Sequence, residues 1–361
     1  MKEKESDKEL DALRKKIDGL DDQLLRLLNE RARHAQKVGE IKIQRKEEIY
    51  ASNRERQILD RLVAESQGPL PEESVEEIFR AIINNCRLLQ KRLRIAYFGP
   101  EATFTHLAAT KHFGQAAEYV PFKSIADVFD EVERDRADYG VVPIENSTEG
   151  VVNHTHDMFM ESNLVICAER EDKISQCLLG VQDSLKKVKL VYSHTQPLAQ
   201  CRHWLDAHLP GVALHEAAST ADAAAHAALD PAAAAVASPL AAEIYSLNIL
   251  ASNIQDSPHN ATRFLIIGKK MAGPSGRDKT SVLLSIKDRV GALHDLLMVF
   301  KEEKLNLTKI ESRPTKKRAW EYVFFIDVEG HVADANMKRV LDKLQPHCLF
   351  VKILGSYPRG D

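Results

Sequence analysis

Cysteine is scarce. The five in 361 residues (Cys86, Cys167, Cys177, Cys201 and Cys348) are scattered, odd in number and never spaced C-x-x-C. That argues against a disulfide framework or a structural zinc site, and cytoplasmic localisation is expected. Long hydrophobic runs are also missing: no stretch approaches the roughly 18 apolar residues of a spanning helix, so no membrane partner is expected. Nor does one sign of charge dominate. Fifty Lys and Arg against 53 Asp and Glu leave a net charge of -3, which gives nucleic acid no global electrostatic footprint. The start MKEKESDKEL carries both signs of charge and no apolar core, so neither a signal peptide nor an arginine-rich transit peptide is expected there. What is present, 44% hydrophobic and 29% charged residues, suits a soluble globular chain rather than a disordered or fibrous one, and the length calls for two or three domains.

The chain reads in three segments. Leu10, Leu13, Ile17, Leu20, Leu24 and Leu27 recur at spacings of three and four, a heptad seam that resumes at Val38 and Ile41. A helix from Asp7 to Arg45 would be ~55 Å long at 1.5 Å per residue, far longer than a ninety-residue domain is wide, so its stripe needs a partner chain. Two shorter helices are expected over Asn53–Ser66 and Glu72–Leu93, parted by Gln67-Gly68-Pro69-Leu70-Pro71. From Arg94 apolar runs alternate with helical stretches, the pattern of an α/β domain. Strands are expected over Arg94–Phe98, Gly140–Ile144, Leu164–Ala168, Cys177–Val181, Lys189–Tyr192 and Phe264–Gly268. Ala232–Ala237 is read as a strand against alanine's helical propensity, because Pro231 and Pro239 leave so little room. After a linker at Ala272–Gly276 come a strand (Ser281–Ile286), a helix (Ala292–Lys301), two strands (Asn306–Ser312, Trp320–Val328), a helix (Ala333–Leu344) and a strand (Leu349–Leu354), the βαββαβ order of a ferredoxin-like fold.

The seam of the first helix breaks its own rule. Continued from Leu27 it lands on Arg31 and His34, and a guanidinium on a buried seam demands an anionic partner. An intramolecular ion pair or a register-setting polar layer would meet that demand as well as a ligand would. Arg14 and Lys42 flank the same face but lie ~42 Å apart along one helix, so they can share a small ligand only if Arg14 comes from a second, antiparallel chain. With Asn53-Arg54-Glu55-Arg56 and Gln90 they make a pocket of several cations, one acid and one amide, suited to a small dianion.

The pattern L-x-x-L-R-x-x-I-x-x-L-D-x-x-L-L-x-L-L over Leu10–Leu28, with Glu30-Arg31, Val38-Gly39, Lys42 and Asn53-Arg54-Glu55-Arg56, resembles the all-helical chorismate mutases, which are intertwined dimers. The resemblance implies that Arg14 of one chain and Arg31 of the other bind the two carboxylates of chorismate. Lys42 and Gln90 contact its ether oxygen, Arg54 supports the carboxylate end and Glu55 accepts from the ring hydroxyl. A unimolecular Claisen rearrangement fits that roster, since it needs no nucleophile or base, only a held conformer and stabilisation of charge on the ether oxygen. Two positions depart from the enterobacterial pattern: Ala51 replaces a substrate-contacting acid and Cys86 a serine.

Gly99-Pro100-Glu101-Ala102-Thr103-Phe104-Thr105, Pro143-Ile144-Glu145-Asn146-Ser147-Thr148-Glu149-Gly150 and Asn260-Ala261-Thr262-Arg263-Phe264 sit at strand ends, where α/β sheets bind ligands, although each taken singly reads as an ordinary turn or helix cap. Together, in this order, they resemble prephenate dehydratase over residues 94–268, and Ser193–Cys201 matches a fourth element of that family. The resemblance implies a two-lobed fold like the type II periplasmic binding proteins, with the site between the lobes. Loss of carbon dioxide and hydroxide from prephenate needs carboxylate binding and a proton for the leaving group. Thr262 is the expected donor, directly or through a relay, and Arg263 a carboxylate ligand; Thr103, Glu145, Asn146, Ser147, Gln196, Asn260 and Phe264 are expected to bind substrate. His154 and His156 do not share a face of a helix and are not read as metal ligands.

Arg289-Val290-Gly291-Ala292-Leu293 and Glu311-Ser312-Arg313-Pro314 resemble the phenylalanine-binding motifs of ACT domains. Gly291 would let backbone N–H groups at a helix start approach the amino acid's carboxylate. A purely dimerising module is the other reading. Together the resemblances imply a chain of three domains (1–92, 93–270, 278–356) that turns chorismate into prephenate and then phenylpyruvate, is inhibited by phenylalanine, forms a homodimer or a higher homo-oligomer, and needs no cofactor or metal. The competing class is a sensor built of the same domains without turnover.

Overall fold

The computed structural model describes residues 2–115, 117–287, 289–314 and 322–360, and the chain divides into two compact units: Met1–Ala51 with Gln57–Arg92, and Ser52–Arg56 with Leu93–Asp361. The helical segment contains α1 (Lys2–Gln44), α2 (Ser52–Glu65) and α3 (Glu72–Leu88). The seam residues Leu10, Leu13, Ile17, Leu20, Leu24 and Leu27 are 46–58% exposed, an apolar stripe that this one chain leaves uncovered. α3 stops short of the expected Leu93, because that residue is buried and its carbonyl accepts from Glu118 N at 2.8 Å as the chain turns into its first strand.

The second unit opens with β1 (Arg94–Phe98), α4 (Phe104–Phe113), β2 (Glu118–Phe122), α5 (Ile125–Glu133), β3 (Tyr139–Asn146), β4 (Gly150–Val151), α6 (Asn153–Glu161) and β5 (Val165–Lys173). There follow β6 (Cys177–Gly180), β7 (Leu190–Ser193), α7 (Thr195–Gln200), α8 (Arg202–His208), β8 (Ala213–Glu216), α9 (Thr220–Leu229), β9 (Ala233–Ala237), α10 (Pro239–Tyr245) and β10 (Asn248–Ala251), before the chain returns in β11 (Ala261–Gly268). The first sheet has the order β2-β1-β3-β11-β5, with β4 paired to β3, and the second β10-β6-β9-β7-β8; these are the two expected lobes. β11 enters the first sheet antiparallel to both neighbours, after the long excursion expected of it.

The alanine run is a strand. Ala233, Ala234, Ala235, Val236 and Ala237 are sealed from solvent at the centre of the second sheet; Ala235 and Ala237 pack with Ala221, Ala223, Ala224 and Ala227 of α9, where small side chains let helix and sheet approach closely, and Ala234 and Val236 join the core on the other face. Among the described residues β2, β4, β8 and β10 were not expected. β4 has only two residues, and the other three are edge strands with much of their length open to solvent, so they lack the apolar signature of buried ones.

The last segment is β12 (Asp278–Ile286), α11 (Ala292–Glu302), β13 (Leu307–Pro314), β14 (Tyr322–Glu329), α12 (Ala335–Leu344) and β15 (Cys348–Pro358), an antiparallel sheet of order β13-β14-β12-β15 and ferredoxin-like topology. Trp320, where one expected strand began, lies outside the described residues. One face of this sheet packs on α11 and α12 through Val282, Leu284, Ile326 and Val328. The other joins the core of the first lobe: Leu283, Val323, Phe325, Leu354 and Tyr357 cluster with Val142, Ile144, Leu265 and Ile267. β15 runs so close to β5 that a Cβ on Gly355 would lie 2.3 Å from the Ile166 carbonyl oxygen, which only glycine tolerates.

Candidate active and regulatory sites

In the helical segment Arg31 and Lys42 are eleven residues apart on α1, three turns and about 20° of rotation, so they share a face. Lys42 Nζ donates to the Ile49 carbonyl at 2.9 Å. Gly39, on the turn before it, is where α1 meets the end of α3: a Cβ there would fall 2.6 Å from Gln90 Cβ and 2.7 Å from its Cγ. Glycine therefore seats Gln90 against the helix that carries Arg31 and Lys42. The Gln90 amide oxygen is buried without a hydrogen-bond partner, an unusual condition for a polar atom unless a ligand completes it. Arg14 stands far from this region on its own helix, exposed, with Asp11 at 3.6 Å. Arg54 and Glu55 occupy the first turn of α2 behind Ala51, which caps that helix without a side-chain hydrogen bond; Cys86 is buried on α3.

The dehydratase motifs converge at the junction of β3 and β11. Asn146 and Thr262 are register partners, and Asn146 Nδ2 donates to Thr262 Oγ1 at 2.8 Å, to Asn260 Oδ1 at 2.9 Å and to the Ala261 carbonyl at 3.2 Å. Its Oδ1 accepts from the backbone of Thr148 and Glu149, which locks the amide orientation. With Asn146 donating, the Thr262 hydroxyl is left to donate its own proton elsewhere. Asn260 Nδ2 reaches Gln200 Oε1 at 3.2 Å, and Gln200 Nε2 reaches Glu149 Oε1 at 3.3 Å, tying the first lobe to α7 of the second. Of these residues Glu149, Gln200 and Asn260 border a solvent-open hollow of about 520 Å³, also lined by Thr148, His194, Gln196 and Gln255.

Other expected residues lie elsewhere. Ser147 Oγ accepts from Ala261 N and donates to the His259 carbonyl, so it pins the β3 turn to β11. Thr103 caps α4: Oγ1 accepts from His106 N and donates to the Pro100 carbonyl. Phe264 was expected to touch substrate, but its ring is 1% exposed and belongs to the interior. Arg263 requires the larger correction. Its Nε donates to Glu169 at 2.7 Å, one terminal nitrogen to Asp327 at 2.6 Å and the other to Tyr357 at 3.1 Å, so the guanidinium is committed to protein partners and is no free carboxylate ligand. Burial opposes its charge, yet Tyr357, Asp327 and Glu169 outweigh that and hold it protonated well above its ordinary value. Glu145 likewise turns from the cleft to Lys309 Nζ at 2.6 Å. Strand alternation accounts for both, since Thr262 and Asn146 face one side of the β3–β11 pair and Arg263 and Glu145 the other. Gln200 and Glu149 were missed as site residues; Gln200 lies one helical turn past Gln196, a spacing that could have found it.

His154 is exposed while His156 is buried, and burial pushes the His156 imidazole down to about 4. Among the described residues no group of three or more His, Cys, Asp or Glu could hold a metal ion.

In the last segment Gly291 caps α11 at φ +79, a conformation open to glycine, with Ala292 and Leu293 opening the helix. Register pairs Pro314 with Tyr322, and Val323 with Ser285, so the end of β13 (Glu311–Pro314) and the exit of β12 toward Gly291 lie at the same end of the sheet. Ser312 is exposed on β13. Arg313 departs from its expected role: its guanidinium hydrogen-bonds Asn153 and lies 3.7 Å from Asp157, both on α6.

Family models match in the order chorismate mutase type II (residues 13–91), prephenate dehydratase (residues 95–272) and ACT domain (residues 280–345). The chain is 50% identical over 356 residues to a bifunctional chorismate mutase/prephenate dehydratase of Aquifex aeolicus, covering 98% of each. A prephenate dehydratase of Arthrobacter aurescens in complex with L-Phe is 34% identical, with a TM-score of 0.68 over 74% of this chain and 90% of that one. A structure described as a novel type of quorum quenching acylase has a TM-score of 0.67 at 30% identity, over 73% of this chain and 97% of that one. Fold alone therefore does not select a chemistry, and the full-length likeness carries that decision.

Proposed function

The chain belongs to the bifunctional chorismate mutase/prephenate dehydratase family, and from that membership we propose how its residues divide the work. It isomerises chorismate to prephenate by Claisen rearrangement, then decarboxylates and dehydrates prephenate to phenylpyruvate in phenylalanine biosynthesis, under feedback by phenylalanine. The domains are taken as residues 1–92, 93–270 and 278–356.

For the mutase, Arg31 and Arg14 of a second chain hold the two carboxylates, Lys42 and Gln90 stabilise negative charge on the departing ether oxygen, Arg54 supports a carboxylate and Glu55 accepts from the ring hydroxyl. The uncovered leucine stripe and the distance of Arg14 from Arg31 and Lys42 along the same helix favour a homodimer. For the dehydratase, Thr262 donates its hydroxyl proton toward the leaving hydroxide while Asn146 stabilises the threonine oxygen, and aromatisation drives carbon dioxide away. Asn260 and Gln196 contact substrate; Thr103 and Ser147 hold the walls in place. Phenylalanine binds between the start of α11 (Gly291, Ala292, Leu293) and the end of β13 (Glu311, Ser312, Pro314). Five buried cysteines, none of them in a disulfide, suit a cytoplasmic enzyme. No helix among the described residues is long and apolar enough to cross a membrane.

The observation that carries the dehydratase assignment is the Asn146-to-Thr262 hydrogen bond beside the cleft wall. Lys42→Ala and Thr262→Ala test the division of labour. The first should abolish mutase activity and spare turnover of supplied prephenate, the second the reverse; equal loss of both in folded protein contradicts two separate sites.

A further inference from the structure

The ACT sheet lies directly behind the dehydratase site. Arg263 follows Thr262 on β11 and Glu145 precedes Asn146 on β3; the two are register partners, as are Thr262 and Asn146. Both rear-facing side chains are gripped from the carboxy-terminal domain. Asp327 of β14 takes Arg263 at 2.6 Å, and Lys309 of β13 takes Glu145 at 2.6 Å. Asp327 is fixed in turn by Ser281 Oγ at 2.5 Å, and Ser281 meets the Tyr357 hydroxyl at 2.6 Å. Lys279 of β12 adds a second cation on Glu169, at 2.8 Å. Around Arg263 the network is buried: side-chain exposures are 14% for Arg263, 10% for Asp327 and 4% for Glu169, so it is little screened by solvent and its geometry is strongly held, whereas Glu145 at 36% is partly open.

The contact leaves a void of about 30 Å³. Ile144, His156, Arg263, Lys309, Phe325 and Asp327 line a small cavity between the two sheets. A shift of β14 must pull on Arg263, because its charge and that of Asp327 cannot part cheaply in a buried setting, and a shift of β13 pulls on Glu145 through Lys309, a pair more open to solvent. β13 also carries Ser312 at the far end from its first residues, so one strand spans the regulatory motif and the Lys309 grip.

Resting on the reading of phenylalanine feedback above, we propose that Arg263 and Glu145 are positioning residues of the dehydratase site. Asp327 and Lys309 hold them from behind, and through these two ion pairs occupancy of the ACT domain is converted into the placement of Thr262 and Asn146. Neither residue touches substrate; each sets where its strand neighbour stands.

The test uses the full chain with Asp327→Asn, which leaves Arg263 its Glu169 and Tyr357 partners, and Lys309→Met, which keeps the aliphatic stem and removes the ammonium. Dehydratase turnover of prephenate is measured against phenylalanine concentration, and phenylalanine binding by calorimetry with and without prephenate. Both variants should turn over prephenate in the absence of phenylalanine and bind phenylalanine at least as tightly as wild type, while inhibition weakens by about tenfold. By linkage, prephenate should also cease to weaken phenylalanine binding, a readout that a merely structural role would not move. Exchanging the pair, Glu145→Lys with Lys309→Glu, should restore inhibition lost in Lys309→Glu alone. Variants inhibited like wild type would overturn the proposal, as would variants that lose phenylalanine binding together with inhibition. A wild-type chain that phenylalanine does not inhibit would overturn the regulatory reading itself, and the proposal with it.

Discussion

Alanine at position 39 would place a methyl group 2.6 Å from Gln90 Cβ, 2.7 Å from its Cγ and 3.0 Å from its Cα. Ordinary contact begins near 3.4 Å, so Gln90 must retreat by about 0.8 Å, and since the Cα is among the crowded atoms a new rotamer cannot supply all of that movement. Two terms oppose each other in stability. Alanine is favoured over glycine inside a helix by about 1 kcal/mol, whereas overpacking costs about 1–3 kcal/mol. The net is a loss of up to about 2 kcal/mol, which leaves the domain folded if its stability is ordinary. Activity is more sensitive. An ångström-scale displacement of a group that stabilises the transition state costs ~100-fold, so mutase turnover of chorismate in Gly39→Ala should fall by one to two orders of magnitude while supplied prephenate is converted at the wild-type rate. Gly19→Ala on the same helix is the control: nothing lies within 4 Å of its Cβ, so it should add about 1 kcal/mol of stability and leave the mutase unchanged. Full mutase activity in Gly39→Ala would refute the placement of Gln90 against α1.

Three other consequences can be measured. Asn146→Asp exchanges a donor for an acceptor at Thr262 Oγ1, draws the hydroxyl proton away from the leaving group, and should lower dehydratase kcat by about 100-fold or more with the mutase intact; a change below threefold contradicts the donor role. His156 is buried with its pKa lowered to about 4, below the unfolded value near 6.5, so the unfolded chain binds the proton first. Stability is therefore full above pH 6.5 and lost as pH falls toward 4, by about 2 kcal/mol at pH 5; denaturant midpoints should show that loss reduced in His156→Gln, and identical pH dependence would refute it. Calorimetry should show phenylalanine affinity weakened by Gly291→Ala, which forces a side chain into φ +79, and by Ser312→Ala, and unchanged affinity in both would reject the site.

The long helix, the buried strands and the ferredoxin-like segment were legible because each has a period or an unbroken apolar run of its own. The edge strands β2, β8 and β10 were not, since open strands share their composition with loops. Thr262 and Asn146 could be singled out from their motifs. Their neighbours Arg263 and Glu145 could not be assigned a face, because that depends on the register of two strands 116 residues apart in chain order and on a third domain covering the back of the sheet. A motif records that a residue is held in place, whereas what holds it is a matter of tertiary packing. Arg313 repeats the lesson: its cation is spent on α6, which no local pattern announces.

The most direct test of the account is incubation of the purified chain with chorismate, following prephenate and phenylpyruvate with and without phenylalanine. Prephenate should form and pass to phenylpyruvate with no other enzyme or cofactor added, and phenylalanine should suppress the second product. Binding of chorismate or phenylalanine without any turnover would contradict the account and leave a sensor in its place.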